Sequence, residues 1–224
     1  MKKLVLNNRI PFLFYLLLLS VCFYFIFNYS KVEIHLFINK FVGNAYLDVF
    51  FKYITYIGDG WFVPMFILLI TIINLRLALT CLLSFLVAVI ISITLKYIFF
   101  DDVVRPWHTF QWTVHEKINY VDGVKLYLFN SFPSGHSTQA FAIFIPLLLF
   151  VKKTGLKLLI LLIALMAAFS RTYLSMHWLE DIVAGSFIGF TTALVVYYLI
   201  FEKNKMIRLN MGVMNLKSNK TNEK

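Results

Sequence analysis

His177 and Asp181 stand four residues apart in the run Ser170-Arg171-Thr172-Tyr173-Leu174-Ser175-Met176-His177-Trp178-Leu179-Glu180-Asp181, at the end of a strongly apolar stretch. An arginine or aspartate at the centre of a bilayer costs about 2.5 to 3.5 kcal/mol on insertion scales, so ionisable groups in such sequence lie at a membrane edge or serve a site. Either a helical i,i+4 relation or a tight turn brings the Asp181 carboxylate against the His177 imidazole. A carboxylate that accepts from Nδ1–H fixes the tautomer and leaves Nε2 free as a nucleophile. Phosphoryl transfer through a histidine needs that arrangement, with cations on the nonbridging oxygens. The same residues also suit an interfacial His-Trp pair with Asp181 capping the next helix, and this sequence alone leaves both readings open.

A second group, Pro133-Ser134-Gly135-His136, opens another apolar run. Proline suits a first helical turn and glycine permits close approach to the backbone, so unpaired amides and the positive end of the helix dipole would face the interface as an anion cradle. Pro-Ser-Gly is also ordinary turn chemistry. Two histidines with opposite duties complete a mechanism. His177 must be neutral to attack phosphorus and His136 protonated to supply the leaving group, and an imidazole whose unperturbed pKa is about 6.5 permits both, with a bell-shaped dependence of rate on pH. Lys96, Arg105 and Arg171 would offset the substrate's charge.

These residues need elements to hold them. The 224 residues are 60% hydrophobic and 14% charged, with mean hydropathy +0.78, against about 45–50% apolar and 25% charged in a soluble domain. An all-α polytopic membrane protein is expected, with six transmembrane helices in one domain over residues 1–201: spans at about 10–29, 61–75, 77–98, 134–151, 156–176 and 181–201. The first is longer than the apolar region of a signal peptide and lacks a small-x-small site, so it reads as a span. Residues 32–58 mix aromatic side chains with Lys40 and Lys52 and suit an amphipathic segment in the interface. Residues 99–133 form the one long polar connection, and 202–224 a basic tail.

The net charge of +10 comes from lysines and arginines at the edges of apolar runs and in the tail, a pattern of topology signals rather than of nucleic-acid binding. Thirteen of the 21 fall on the side of both termini and eight on the other, which puts the termini in the cytoplasm and the helix ends carrying the histidines outward. Cys22 and Cys81 lie inside apolar runs as packing residues. His108, His115 and Glu116 match no common zinc spacing.

At these residues the chain resembles the type 2 phosphatidic acid phosphatase family, membrane lipid phosphatases that share an active-site pattern with vanadium haloperoxidases. Pro133 to His136 matches its second motif intact, and Ser170 to Asp181 its third, Ser-Arg-x5-His-x3-Asp. The first motif departs: the family has six residues between a lysine and Arg-Pro, whereas eight separate Lys96 from Arg105-Pro106. Arg105, in a loop, absorbs the difference more readily than Lys96, which also reads as a snorkelling edge lysine. The resemblance covers residues 77–201. It implies His177 as nucleophile, Asp181 as its orienter, His136 as acid, and Lys96, Arg105, Ser134, Gly135 and Arg171 as phosphate ligands, with neither metal nor cofactor.

The expected substrate is a membrane lipid phosphate or diphosphate, such as phosphatidylglycerol phosphate, phosphatidate, a prenyl diphosphate or a lipid A phosphate, at a bacterial cytoplasmic (inner) membrane. Two alternatives stay open: a phosphotransferase with an acceptor other than water, and a transporter, although transport paths place charge near the midplane.

Overall fold

The computed structural model describes residues 1–203, and every regular element among them is helical. The α-helices are α1 (Lys2–Asn7), α2 (Arg9–Asn28), α3 (Lys31–Asn39), α4 (Ala45–Ile54), α5 (Phe62–Ile73), α6 (Leu75–Thr94), α7 (Pro106–Trp112), α8 (Gly135–Phe150), α9 (Thr154–Tyr173) and α10 (Leu179–Tyr197). A 3₁₀ turn, Thr55–Gly58, follows α4, and π-helical turns extend α6 over Leu95–Phe99 and α10 over Tyr198–Lys203.

α8 is the axis of the bundle. It is apolar on all sides, a pattern that requires enclosure, and α6, α9 and α10 enclose it. Contact with α10 is closest: a Cβ on Gly185 would stand 2.4 Å from the Ser134 carbonyl oxygen, and one on Gly189 2.4 Å from that of Thr138. Both positions therefore require glycine, and their four-residue spacing puts them on one face, as in other close contacts between membrane helices. α2 leans on the outside. Tyr15 stacks on Phe190 at 4.6 Å and its hydroxyl lies 2.9 Å from Ser186 Oγ, while Leu13, Leu16, Leu17 and Phe27 are exposed. Between α2 and the α9–α10 pair runs an open apolar groove of about 940 Å³, walled by residues such as Phe14, Leu18, Phe169 and Ile182 and by none of the candidate site residues.

Polar ties fix the end of the bundle where the chain begins. Lys157 Nζ donates to Asn8 Oδ1 at 2.5 Å and to the Asn7 carbonyl at 3.3 Å, joining the starts of α9 and α2. Arg76 donates to the Ile200 carbonyl and lies over the Phe201 ring, joining the start of α6 to the end of α10. The starts of α8 and α10, and the far ends of α6 and α9, lie at the opposite end.

Among the described residues four helices are long and apolar enough to cross a membrane, Arg9–Asn28, Leu75–Phe99, Thr154–Tyr173 and Leu179–Lys203; Ala45–Gly58 and Phe62–Ile73 qualify only as a pair, bent by 67°. The count is therefore four, or five with the bent pair as one, where the sequence suggests six. The run expected to span at 61–75 gives α5, only twelve residues, because Asn74 Oδ1 accepts from the Leu77 amide at 2.9 Å and starts α6 afresh. The run at 134–151 gives α8, sixteen residues and thus about 24 Å long against a hydrocarbon core of about 30 Å. Residues 32–58, expected as one amphipathic interfacial piece, form two helices, and the second leads into α5. The basic tail, from 204 onward, lies outside the described residues.

Candidate active site

α9 ends at Tyr173 and the chain turns through five residues into α10. Ser175 takes a left-handed conformation, φ 55°, and the Met176 and His177 amides both donate to the Arg171 carbonyl, at 2.9 and 3.1 Å. This closed turn presents His177, which is 2% exposed. His177 Nδ1 lies 3.2 Å from Asp181 Oδ2, and the same oxygen accepts from the Trp178 amide at 2.9 Å and from Ser131 Oγ at 2.5 Å. On the far side of the ring, Nε2 is 3.3 Å from Arg105 NH1. A guanidinium only donates, so Nε2 must offer its lone pair and Nδ1 carries the proton that Asp181 accepts. The tautomer is thus fixed from both sides. Burial, followed by the charges of Arg105, Arg171 and Lys96, holds the His177 pKa well below the ordinary imidazole value, so the ring is neutral at pH 7.

Three cations converge there. Arg105 is held by carbonyls, Nε to Phe129 at 2.8 Å, NH1 to Met176 at 3.0 Å and NH2 to Asn130 at 3.2 Å. Lys96, on the π-helical turn, reaches the Asn130 carbonyl at 2.6 Å and that of Ser131 at 3.4 Å. Between Lys96 and Arg105 the chain passes through this widened turn and an exposed turn at Asp101-Asp102. Arg171, 5% exposed, donates to Thr55 Oγ1 at 2.8 Å and to Met176 Sδ at 2.9 Å, and its buried Nε has no hydrogen-bond partner among the described residues. Asp181 is the carboxylate among them. A unit charge pair 4 Å apart is worth about 4 kcal/mol at an effective dielectric of 20, so an arriving anion gains more from this set than one carboxylate already offsets.

The start of α8 closes the site. The Ser134 amide donates to the Asp181 carbonyl at 3.0 Å, binding the two helix starts together. Ser134 Oγ accepts from the Ser137 amide and hydroxyl, at 3.4 and 3.0 Å, as the helix cap. The Gly135 and His136 amides are left without an intrahelical acceptor, and a Cβ on Gly135 would stand in open space. His136, half-buried, lies within electrostatic reach of His177, Arg171, Arg105 and Lys96. All eight candidate residues therefore gather at one end of the bundle. His108 and His115 are not among them, and no group of three His, Cys, Asp or Glu converges to hold a metal among the described residues.

Three participants escape the sequence reading. Ser131 adds a short hydrogen bond to the carboxylate behind His177; its position two residues before Pro133 was the available signal. Thr55 holds Arg171. Gly58 lets its 3₁₀ turn press on the start of α8, since a Cβ there would come within 2.8 Å of the His136 carbonyl oxygen. Neither Thr55 nor Gly58 carries a local signal of that role.

Known proteins resemble this chain in sequence and fold. Over 69 residues the chain is 39% identical to the bacitracin transport permease protein BcrC of Bacillus licheniformis, a match spanning 31% of this chain and about a third of that relative's length. The crystal structure of Aquifex aeolicus LpxE superposes with a TM-score of 0.64 at 24% identity, covering 75% of this chain and 96% of the other. That of the first transmembrane PAP2 type phosphatidylglycerolphosphate phosphatase from Bacillus subtilis gives 0.58 at 24% identity, covering 90% and 99%. These likenesses are of fold. The family model of the PAP2 superfamily matches residues 77–205, more than half the sequence and all eight site residues, so the chain belongs to the PAP2 superfamily as a helical integral membrane protein.

Proposed function

We propose that the protein is a lipid phosphate or diphosphate phosphatase that works through a phosphohistidine on His177. The observation that carries this reading is the fixed tautomer of His177, with Nδ1–H on Asp181 and the Nε2 lone pair beside Arg105. Nε2 attacks phosphorus, the bond to the leaving oxygen breaks, and protonated His136 gives that oxygen its proton. Arg105, Arg171 and Lys96, with the free amides of α8, take up charge on the nonbridging oxygens. Water then attacks the phosphohistidine, neutral His136 takes the water's proton, and the N–P bond breaks to release phosphate. A bound phosphate dianion favours the protonated form of His136, which is how two imidazoles so close together hold different charges.

A lipid substrate is supported by the position of the site at helix ends, where a headgroup arrives laterally with its chain still in the bilayer. Counting α5 and α8 as short crossings gives six, with both termini cytoplasmic, as the excess of basic residues on that side favours. The site would then face outward from a bacterial cytoplasmic membrane.

The test is phosphate release from phosphatidylglycerol phosphate, phosphatidate, a prenyl diphosphate and a lipid A phosphate, by wild type and His177→Ala, with and without chelator. Release is expected from at least one lipid, independent of chelator and lowered at least about 10⁴-fold in the variant. Full activity in His177→Ala would overturn the mechanism. A phosphorylated acceptor in place of free phosphate would make it a phosphotransferase. The name of the Bacillus licheniformis relative favours a second reading, transport; solute movement across vesicles without phosphate release would establish it.

A further inference from the structure

The geometry points to His35, on α3, as a positioning residue that sets the spacing between His177 and Arg105 by holding the turn of one and the helix of the other. This rests on the phosphatase reading. His35 is 1% exposed, and its Nε2 lies 3.1 Å from Ser175 Oγ. Ser175 is the residue whose φ of 55° lets the turn after Arg171 close and present His177. A non-glycine residue in that region is under strain unless its surroundings hold it, and His35 supplies a hold on its side chain.

The same ring has two further contacts. It packs against Phe110 at 5.4 Å, on the helix that starts immediately after Arg105, and edge-on against Trp178 at 5.5 Å, the residue immediately after His177. Trp178 Nε1 in turn donates to the Val104 carbonyl at 2.8 Å, next to Arg105. His35 thus sits where the nucleophile's arm and the arginine's arm meet, and moves neither without the other. His35 Nδ1 is buried with no hydrogen-bond partner among the described residues. An unpaired lone pair is cheaper there than an unpaired N–H, so Nε2 carries the proton and donates to Ser175. Burial pushes the His35 pKa down to about 4, which keeps the ring in this neutral form at pH 7. No transferred group reaches it; its effect passes through Ser175 and Trp178.

The substitutions separate the hydrogen bond from packing. His35→Phe keeps a ring and loses the donor; His35→Gln places an amide N–H where Nε2–H was. Ser175→Gly removes the acceptor and accepts the left-handed backbone. On a lipid phosphate that wild type hydrolyses, His35→Phe is expected to lower kcat about tenfold with KM within about twofold, because misplacement of a reacting group acts on the chemical step. His35→Gln should recover most of that loss. The double variant His35→Phe with Ser175→Gly should be no slower than His35→Phe alone, the sign of one shared interaction. Wild-type kcat in His35→Phe, failure of His35→Gln to recover rate, or multiplying effects in the double variant would each overturn the inference. A wild type that releases no phosphate from any lipid would instead overturn the phosphatase reading. Should His35→Phe not fold, the comparison of His35→Gln with His35→Leu decides: near-wild-type kcat in the first with a loss of about tenfold in the second supports the role, and equal rates overturn it.

Discussion

Buried cations stand at both ends of this bundle, and the two ends use them differently. Where the chain begins, Lys157 and Arg76 each reach across to a neighbouring helix, Lys157 to oxygens of Asn7 and Asn8 and Arg76, among its contacts, to the Ile200 carbonyl. They are separate struts. At the opposite end Lys96 and Arg105 also donate to carbonyls, so hydrogen bonding alone does not set them apart. What does is convergence: Lys96, Arg105 and Arg171 all bear on the same imidazole. Buried cations that each tie a different pair of helices are architecture; three that bear on a single imidazole create a deficit of negative charge that, on the proposed reading, a phosphate would fill.

That contrast can be broken or sharpened by substitution. The largest effect after loss of His177 itself is expected for Asp181→Asn, which turns an acceptor-only partner into one that stabilises the wrong tautomer; kcat should fall about 10³-fold, and a fall below about tenfold would show that His177 does not depend on its orienter. Arg105→Ala should lower kcat/KM about 10²-fold. It should also move the acid limb of the kcat/KM profile to higher pH, because removing a positive charge from beside His177 makes its protonation easier and so raises its depressed pKa. An acid limb that stays in place would separate Arg105 from the nucleophile. Ser131→Ala removes one of three donors from Asp181 Oδ2 and should cost about tenfold in kcat. At the other end, Lys157→Met should leave kcat within about twofold while lowering the melting temperature by about 2–8 °C, the mark of a strut. A large loss of kcat there, measured on folded protein, would erase the distinction between the ends.

The two intact motifs were legible because each is short and continuous: Ser134, Gly135 and His136 share one turn, and Arg171, His177 and Asp181 share one reversal, so sequence spacing is nearly spatial spacing. The helical class and most of the apolar runs were legible from composition and length. The boundary between residues 32–58 and the run from 61 was legible too, but not the split of 32–58 into α3 and α4 or the 67° angle at which Ala45–Gly58 meets Phe62–Ile73, since hydropathy records that a run is apolar and not how it bends. Gly185 and Gly189 did stand four apart in an apolar run, but their meaning depends on the partner they face. Thr55 and Ser131 reach Arg171 and Asp181 from 116 and 50 residues away. A single hydroxyl at that separation carries no pattern; only the assembled bundle gives it a role.

If α8 crosses the bilayer as proposed, its length sets how far a lipid substrate must travel. A helix about 6 Å shorter than the hydrocarbon layer leaves at least one of its ends inset from the surface. Ser134, Gly135 and His136 are that helix's polar end. If this is the inset end, the bilayer would dip to meet it, and on the proposed reading a lipid phosphate brought to His177 would descend while its chain stays among other chains. The apolar cost of lifting a lipid into water, about 0.8 kcal/mol for each methylene exposed, would then be largely avoided, and membrane thickness would become a variable on which turnover depends.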